Sequence, residues 1–293
     1  MKKIESVILK TSAQLSLAIF GLVLSMAHAS AASYEWTFNS SDLSASLGSG
    51  IITYAGASGG LTTFGTTGGG VPNIGGNAAN YMHVPAFTSA ANGYNLELVN
   101  TGPNGGGSYV NNYTIVFDVL VPSPWPLDYI VPFFNTDPGN GNDADFYLYG
   151  DGEIGIGGGG YSDPGALTPD TWYRVAFVSD LTANTLTYYV NGTSVKSRTA
   201  GGVDDGQFAL YSNSDPGADL RLFNEPTGLY THELYLNSFA FVDHAMTSGE
   251  LSALGGPNAQ GILVPEPCTA RLVVLGLLSA AGLQARRRIS GAR

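Results

Sequence analysis

In the segment 113–121 every second residue is large and apolar: Tyr113, Ile115, Phe117, Val119 and Val121. Side chains of an extended chain alternate between two faces, so a period of two commits this segment to a strand with a buried face and excludes an amphipathic helix. Residues 172–178 alternate in the same way. Leu186, Tyr188 and Val190 line one face of a strand that meets Asn191-Gly192. That pair suits a tight hairpin, because Gly tolerates positive φ and Asn adopts it at little cost. Further strands are expected at 34–38, 94–98, 129–134, 145–149, 153–157, 207–212, 219–223 and 235–242. A dozen short strands in a chain with 40 Gly and 15 Pro predict an all-β fold, a sandwich of two antiparallel sheets. A single helix is predicted over 248–254, capped by Thr247 or Ser248, favoured by Glu250 in its first turn and stopped by Gly255-Gly256-Pro257.

Charge narrows the function. Between Ser30 and Leu263 there are four cations (Arg174, Lys196, Arg198, Arg221) against 21 carboxylates, which makes about −17 at neutral pH. Such a surface repels phosphate backbones, and nucleic-acid binding is excluded as an expectation. It suits cations, neutral glycans or basic partners. The single cysteine, Cys268, lies outside this region, so the predicted sandwich has neither a disulfide nor a cysteine metal site.

The two ends read as addresses. Lys2, Lys3 and Lys10 lead into an apolar run over 15–26, and Ala27 and Ala29 flank His28 as the small residues that a signal peptidase reads. Residues 1–29 are therefore expected to be a secretory signal peptide. At the other end Pro265-Glu266-Pro267 precedes an apolar stretch over 272–283 and the cluster Arg286-Arg287-Arg288. The span 267–286 covers about 27 Å at helical rise, near the hydrocarbon thickness of a bilayer. A transmembrane helix there would keep the arginines cytoplasmic, with Arg271 the departure from an all-apolar span. Tripeptide, span and basic tail in this order resemble the PEP-CTERM sorting signal of Gram-negative bacteria. The resemblance implies an exosortase-type processing enzyme as a partner, at least transient residence in the membrane, and delivery to the cell envelope, the cell surface or the extracellular space. The expected domains are 1–29, 30–262 and 263–293.

The middle region carries a second resemblance. Thr171-Trp172-Tyr173-Arg174-Val175-Ala176-Phe177 is followed by Leu186-Thr187-Tyr188-Tyr189-Val190-Asn191-Gly192, and later by Ser238-Phe239-Ala240-Phe241-Val242-Asp243-His244-Ala245-Met246-Thr247-Ser248-Gly249-Glu250-Leu251. This set resembles the laminin-G-like, concanavalin A-like jelly roll, over roughly 113–262. His244 departs from the Arg or Tyr usual there, and 40–112 is too rich in Gly to align, so its place as the first strands rests on topology.

Candidate chemistry is sparse. The glycosidases of this fold carry a Glu-x-Asp-x-(x)-Glu run on one strand, and the chain has none. Asp143/Asp145 and Asp151/Glu153 have the i, i+2 spacing that shares a face, but Gly150-Asp151-Gly152 reads as a hairpin turn. Gly56-Ala57-Ser58-Gly59-Gly60 and the run 155–160 match nucleophile-elbow and dinucleotide patterns, without the following helix that either requires. His83, His232 and His244 lack metal-ligand spacing. The loop 137–145 concentrates oxygen ligands in Asp137, Asn140, Asn142, Asp143 and Asp145 and is the candidate calcium site. Trp125, between two prolines, is the candidate exposed platform for stacking on a sugar ring. The expected function is non-enzymatic: an envelope or extracellular-matrix protein that binds polysaccharide. The alternatives are a secreted glycoside hydrolase of the same fold and a matrix-structural protein without a defined ligand.

Overall fold

The computed structural model describes residues 33–99, 101–125, 130–136, 145–157, 160–210, 219–224 and 232–262. Ala27, Ala29, Pro265, Glu266, Pro267 and Arg286 to Arg288 lie outside the described residues. The described residues form fourteen strands, one α-helix and a 3-10 turn at Ser58–Gly60: β1 (Ser33–Trp36), β2 (Ile51–Ala55), β3 (Thr63–Thr66), β4 (Asn80–Val84), β5 (Gly93–Glu97), β6 (Asn112–Leu120), β7 (Ile130–Asn135), β8 (Phe146–Tyr149), β9 (Ile154–Gly155), β10 (Trp172–Asp180), β11 (Thr185–Val190), β12 (Thr193–Thr199), β13 (Leu220–Leu222), β14 (Leu234–Val242) and α1 (Ser248–Leu254). They form two antiparallel sheets. The eight-stranded sheet has the order β12-β11-β10-β6-β14-β4-β3 with β1 also on β14, and the six-stranded sheet the order β2-β5-β13-β7-β8-β9.

The period of two sets the packing. Tyr113, Ile115, Phe117 and Val119 of β6 point between the sheets and are fully or almost fully buried. The Phe117 ring lies 5.2 Å from both Phe133 and Phe239, and Phe177 meets Phe134 edge-to-face at 4.9 Å. Aromatic contacts of this kind add to the burial energy of rings that already dominate the core.

β6 is also buried on its other face, where Thr114, Val116, Asp118 and Leu120 are covered. At Asp118 the cover is the chain after α1, where the Asn258 N–H donates to Asp118 Oδ2 at 3.2 Å. Thr247 caps α1 in a reciprocal pair with Glu250, as the sequence predicts. Beyond α1 the chain is pinned by Arg174 of β10. Its Nε and Nη2 donate to the two Asp118 oxygens, each at 2.7 Å, while Nη1 donates to Leu254 O at 2.6 Å and Nη2 to Gly261 O at 3.1 Å. Asn191 of the hairpin takes the Arg174 N–H. Gly192, at φ 78°, sits where a Cβ would stand 2.6 Å from Leu251 O, and Gly261, at φ 115°, where one would stand 2.5 Å from Glu35 Oε1. The three motifs that carry the jelly-roll resemblance thus meet in one latch, with a structural role for each.

The structure differs from the sequence reading in two places. β2, β3 and β4 lie in the Gly-rich segment, whose place as first strands is expected from topology without bounds, and β12, which has no counterpart in the sequence reading, follows the hairpin. β3 and β12 are largely solvent-facing, so they carry no apolar alternation. The strand expected at 207–212 is instead a turn: Asp205 O accepts from the Phe208 and Ala209 N–H groups, and Leu210 makes a single bridge to Val110. Residues 211 and 212 lie outside the described residues.

Candidate functional site

Strand register aligns five residues in one row on the outer face of the larger sheet. Trp172 of β10 pairs with Leu120 of β6, Leu120 with Tyr235 of β14, Tyr235 with His83 of β4, and His83 with Thr63 of β3. At a strand spacing of about 4.8 Å the row spans roughly 19 Å. The loop 67–79 between β3 and β4 crosses it. Ile74 and Ala79 bury Leu120 and Trp172 there, and the Trp172 indole N–H donates to Pro72 O at 2.7 Å.

On one side of that loop the aromatic end of the row is half-exposed. Tyr81 and Tyr235 meet edge-to-face at 5.1 Å, and the His83 ring lies 5.0 Å from Tyr235 at an interplanar angle of 29°. His83 Nε2 stands 3.0 Å from Glu233 Oε2, and the Glu233 side chain is 44% exposed. Thr63 Oγ1 lies 3.4 Å from His83 Nδ1 on the other side of the ring. Burial, and then the neighbouring Glu233 and Tyr81, raise the Tyr235 pKa, so its hydroxyl keeps its proton at neutral pH. On the far side of the loop, Pro72, Asn73, Ile74, Gly75, Asp170, Thr171, Trp172 and Pro257 line a cleft of about 270 Å³. The Ser123 N–H donates to Asp170 Oδ1 at 3.0 Å and holds that carboxyl below its usual range. Flat rings beside an accessible carboxylate can stack on the C–H face of a sugar while accepting its hydroxyls, the pairing of apolar area and directed polar groups that small-ligand sites use.

Of the site residues singled out from sequence, Trp125 and Asp145 are among the described residues, and neither joins this cluster. Trp125 is half-buried rather than exposed: its ring packs on the main core and its indole N–H donates to Pro122 O at 3.1 Å. Of the candidate calcium ligands, Asp137, Asn140, Asn142 and Asp143 lie outside the described residues. Asp145 is buried, and its Oδ2 accepts from both the N–H and the hydroxyl of Thr136, each at 2.6 Å, so a cation here would share this carboxylate with Thr136. Among the described residues no three His, Cys, Asp or Glu side chains converge to hold a metal, and no helix is long and apolar enough to cross a membrane. His232 is paired with the Glu233 carbonyl, and His244 stands near Asp243 and Glu250. Tyr81, Glu233 and Tyr235 were not singled out. Alternation marks Tyr235 as outward-facing, but nothing in the sequence says that β4 lies beside it.

Residues 110–224 match a laminin-G-type family described as the concanavalin A-like lectin/glucanases superfamily. No curated protein matches the chain. Among solved structures, the binding domain of botulinum neurotoxin serotype G is 13% identical with a TM-score of 0.49, over 75% of this chain and 50% of that one. The chain therefore spans about half the length of that domain. Domain 4 of AbnA, a GH43 extracellular arabinanase from Geobacillus stearothermophilus in complex with arabinotriose, is 18% identical with a TM-score of 0.44, over 77% of this chain and 98% of that one. Trypanosoma rangeli sialidase is 15% identical with a TM-score of 0.35, over 59% of this chain and 29% of that one. The family match, which runs from the start of β6 past β13, supports a laminin-G-like, concanavalin A-like lectin/glucanase domain in this chain.

Proposed function

We propose that the sandwich binds neutral polysaccharide, without cutting it, through the outer face of its larger sheet. The observation that carries this reading is the cluster of Tyr81, His83 and Tyr235 beside the accessible carboxylate of Glu233. The lectin/glucanase family match is consistent with it. The non-enzymatic part draws support from where the buried carboxylates are engaged. Asp118 holds Arg174, Asp219 accepts the Leu98 N–H, Glu35 accepts the Ile262 N–H and Asp145 accepts from Thr136. A glycosidase needs two carboxyl groups available across one glycosidic bond.

Retention of the purified protein on β-glucan, xylan and arabinan tests the reading. Tyr235→Ala is expected to weaken retention at least tenfold, about 1.4 kcal/mol, on any glycan that holds the unmodified protein. Equal retention would refute the assignment of the face, and release of reducing sugar would refute the non-enzymatic claim.

We further propose that the protein is exported through its N-terminal signal and sorted to the envelope through Pro265-Glu266-Pro267, the following helix and Arg286 to Arg288, by an exosortase-type enzyme. The intact mass of the surface or released form should then place its end near Pro267. Recovery of the whole arginine tail outside the cytoplasm would contradict the sorting proposal.

A further inference from the structure

Of the four cations between residues 30 and 262, Arg174 is sealed in the latch, and Arg221 is held by Asn95 Oδ1 and the carbonyls of Ala90 and Asn92. The other two, Lys196 and Arg198, sit together on β12, the edge strand of the larger sheet. They are two positions apart and so share a face, with Cα atoms about 7 Å apart. In register they oppose Tyr188 and Leu186 of β11. Both side chains are half-exposed, and neither forms an ion pair with a carboxylate among the described residues, although the domain carries 21 of them.

The surroundings of the pair are polar and aromatic beside Arg198 and acidic beside Lys196. The Arg198 guanidinium makes two long hydrogen bonds, to Thr199 O at 3.3 Å and Gly157 O at 3.4 Å. Gly160 lies so near that a Cβ there would stand 2.7 Å from its Nη1, which brings the next residue, Tyr161, to this edge. Tyr161 in turn packs 5.8 Å from Tyr149 of β8. The Tyr188 hydroxyl is fully buried. Burial pushes that phenol up to about 12, against the opposing pull of Arg198 beside it. Lys196 neighbours Glu153, whose carboxyl is pushed up by burial and by Asp151 and Asp163 and drawn down by Lys196. A part-exposed guanidinium, a second cation on the same face and two half-exposed tyrosines make a receptor for a carboxylate carried on a ring.

We propose that this edge of the sandwich is a second glycan site, in which Lys196 and Arg198 take the carboxylate of a uronic acid in an acidic polysaccharide and Tyr149 and Tyr161 flank its ring. The site is separate from the outer-face cluster and stands or falls independently of it. It has an electrostatic signature of its own. The domain as a whole, at about −17, repels a polyanion at long range, while the two cations attract it at contact. The Debye length falls from about 30 Å at 0.01 M salt to about 8 Å at 0.15 M. Moderate salt therefore removes the repulsion before it weakens the contact, and binding passes through a maximum.

Retention of the whole exported domain on polygalacturonate, with a chelator present so that calcium does not bridge the partners, is measured at about 0.01, 0.15 and 1 M NaCl. The expected result is strongest retention at the middle concentration. Lys196→Gln/Arg198→Gln is expected to reduce it at least tenfold, with the melting temperature and neutral-glycan retention unchanged. The single variant Lys196→Gln, on a half-exposed side chain, serves if the double variant is poorly folded and should show a smaller loss in the same direction. The proposal is overturned if the unmodified protein is not retained at any salt, if retention falls steadily from the lowest salt, if the variants bind equally well, or if dextran sulfate is retained and polygalacturonate is not.

Discussion

Replacing Arg174 by Met keeps much of the side-chain volume and removes the charge and every donor. Asp118, whose side chain is fully buried, would then retain only the long bonds from Ser238 Oγ at 3.3 Å and from the Asn258 N–H at 3.2 Å. Leu254 O and Gly261 O would lose their guanidinium partners. Removing one member of a buried ion pair costs about 3–5 kcal/mol, because the other charge is left uncompensated. The orphaned carbonyls would ordinarily add about 1 kcal/mol or more each. Here they can regain water if the segment 255–262 lifts from the sheet, so the total is bounded by loss of the latch, near 4 kcal/mol. For a domain of this size that corresponds to a fall in Tm of roughly 8–16 °C. Differential scanning calorimetry measures the fall, and limited proteolysis should reveal new cleavage within 247–262. The double variant Arg174→Met/Asp118→Leu removes both charges and should recover more than half of the loss, since apolar replacement of a buried pair is often neutral or better. A single-variant loss under about 1 kcal/mol, or a double variant no more stable than the single one, would refute the latch as the reason for this arginine.

Two further outcomes are expected from the geometry. The Thr247 N–H and hydroxyl hold Glu250 below its ordinary value near 4.5, so the stability that it contributes is present above that value and is lost as the pH falls through the lowered one. Tm measured against pH in the acid range should fall less steeply for Glu250→Gln than for the unmodified protein, and parallel curves would contradict the capping account. If the loop carrying Asp137, Asn140, Asn142, Asp143 and Asp145 holds calcium, a hundredfold excess over Kd should stabilise the domain by about 2.7 kcal/mol, and superimposable melts in calcium and in chelator would contradict that site.

Strands that turn one face to the inter-sheet core were readable because large apolar residues recur on that face with a period of two, as in β6, β10 and β14. The helix was readable from local chemistry, through Thr247, Glu250 and Gly255. β3 and β12 escaped because a mostly solvated strand needs no alternation, and their pairing partners fix them instead. The site escaped for a related reason. Tyr81, His83, Glu233 and Tyr235 come from segments some 150 residues apart, and only the pairing of β14 with β4 brings them together. Trp125 shows the converse: its prolines correctly kept it out of a strand, but they carried no information about whether its ring would pack on the core. Lys196 and Arg198 were visible as rare cations, yet their placement beside Tyr188 depends on the β11–β12 register.

Chemical-shift mapping of the isotopically labelled domain, titrated with an oligosaccharide of the neutral glycan that retains it best, tests the central claim most directly. The account predicts saturable shifts centred on Tyr81, His83, Glu233 and Tyr235, with Trp125 and β12 unmoved. Shifts centred on another face, or none at any concentration with the whole glycan panel, would contradict it.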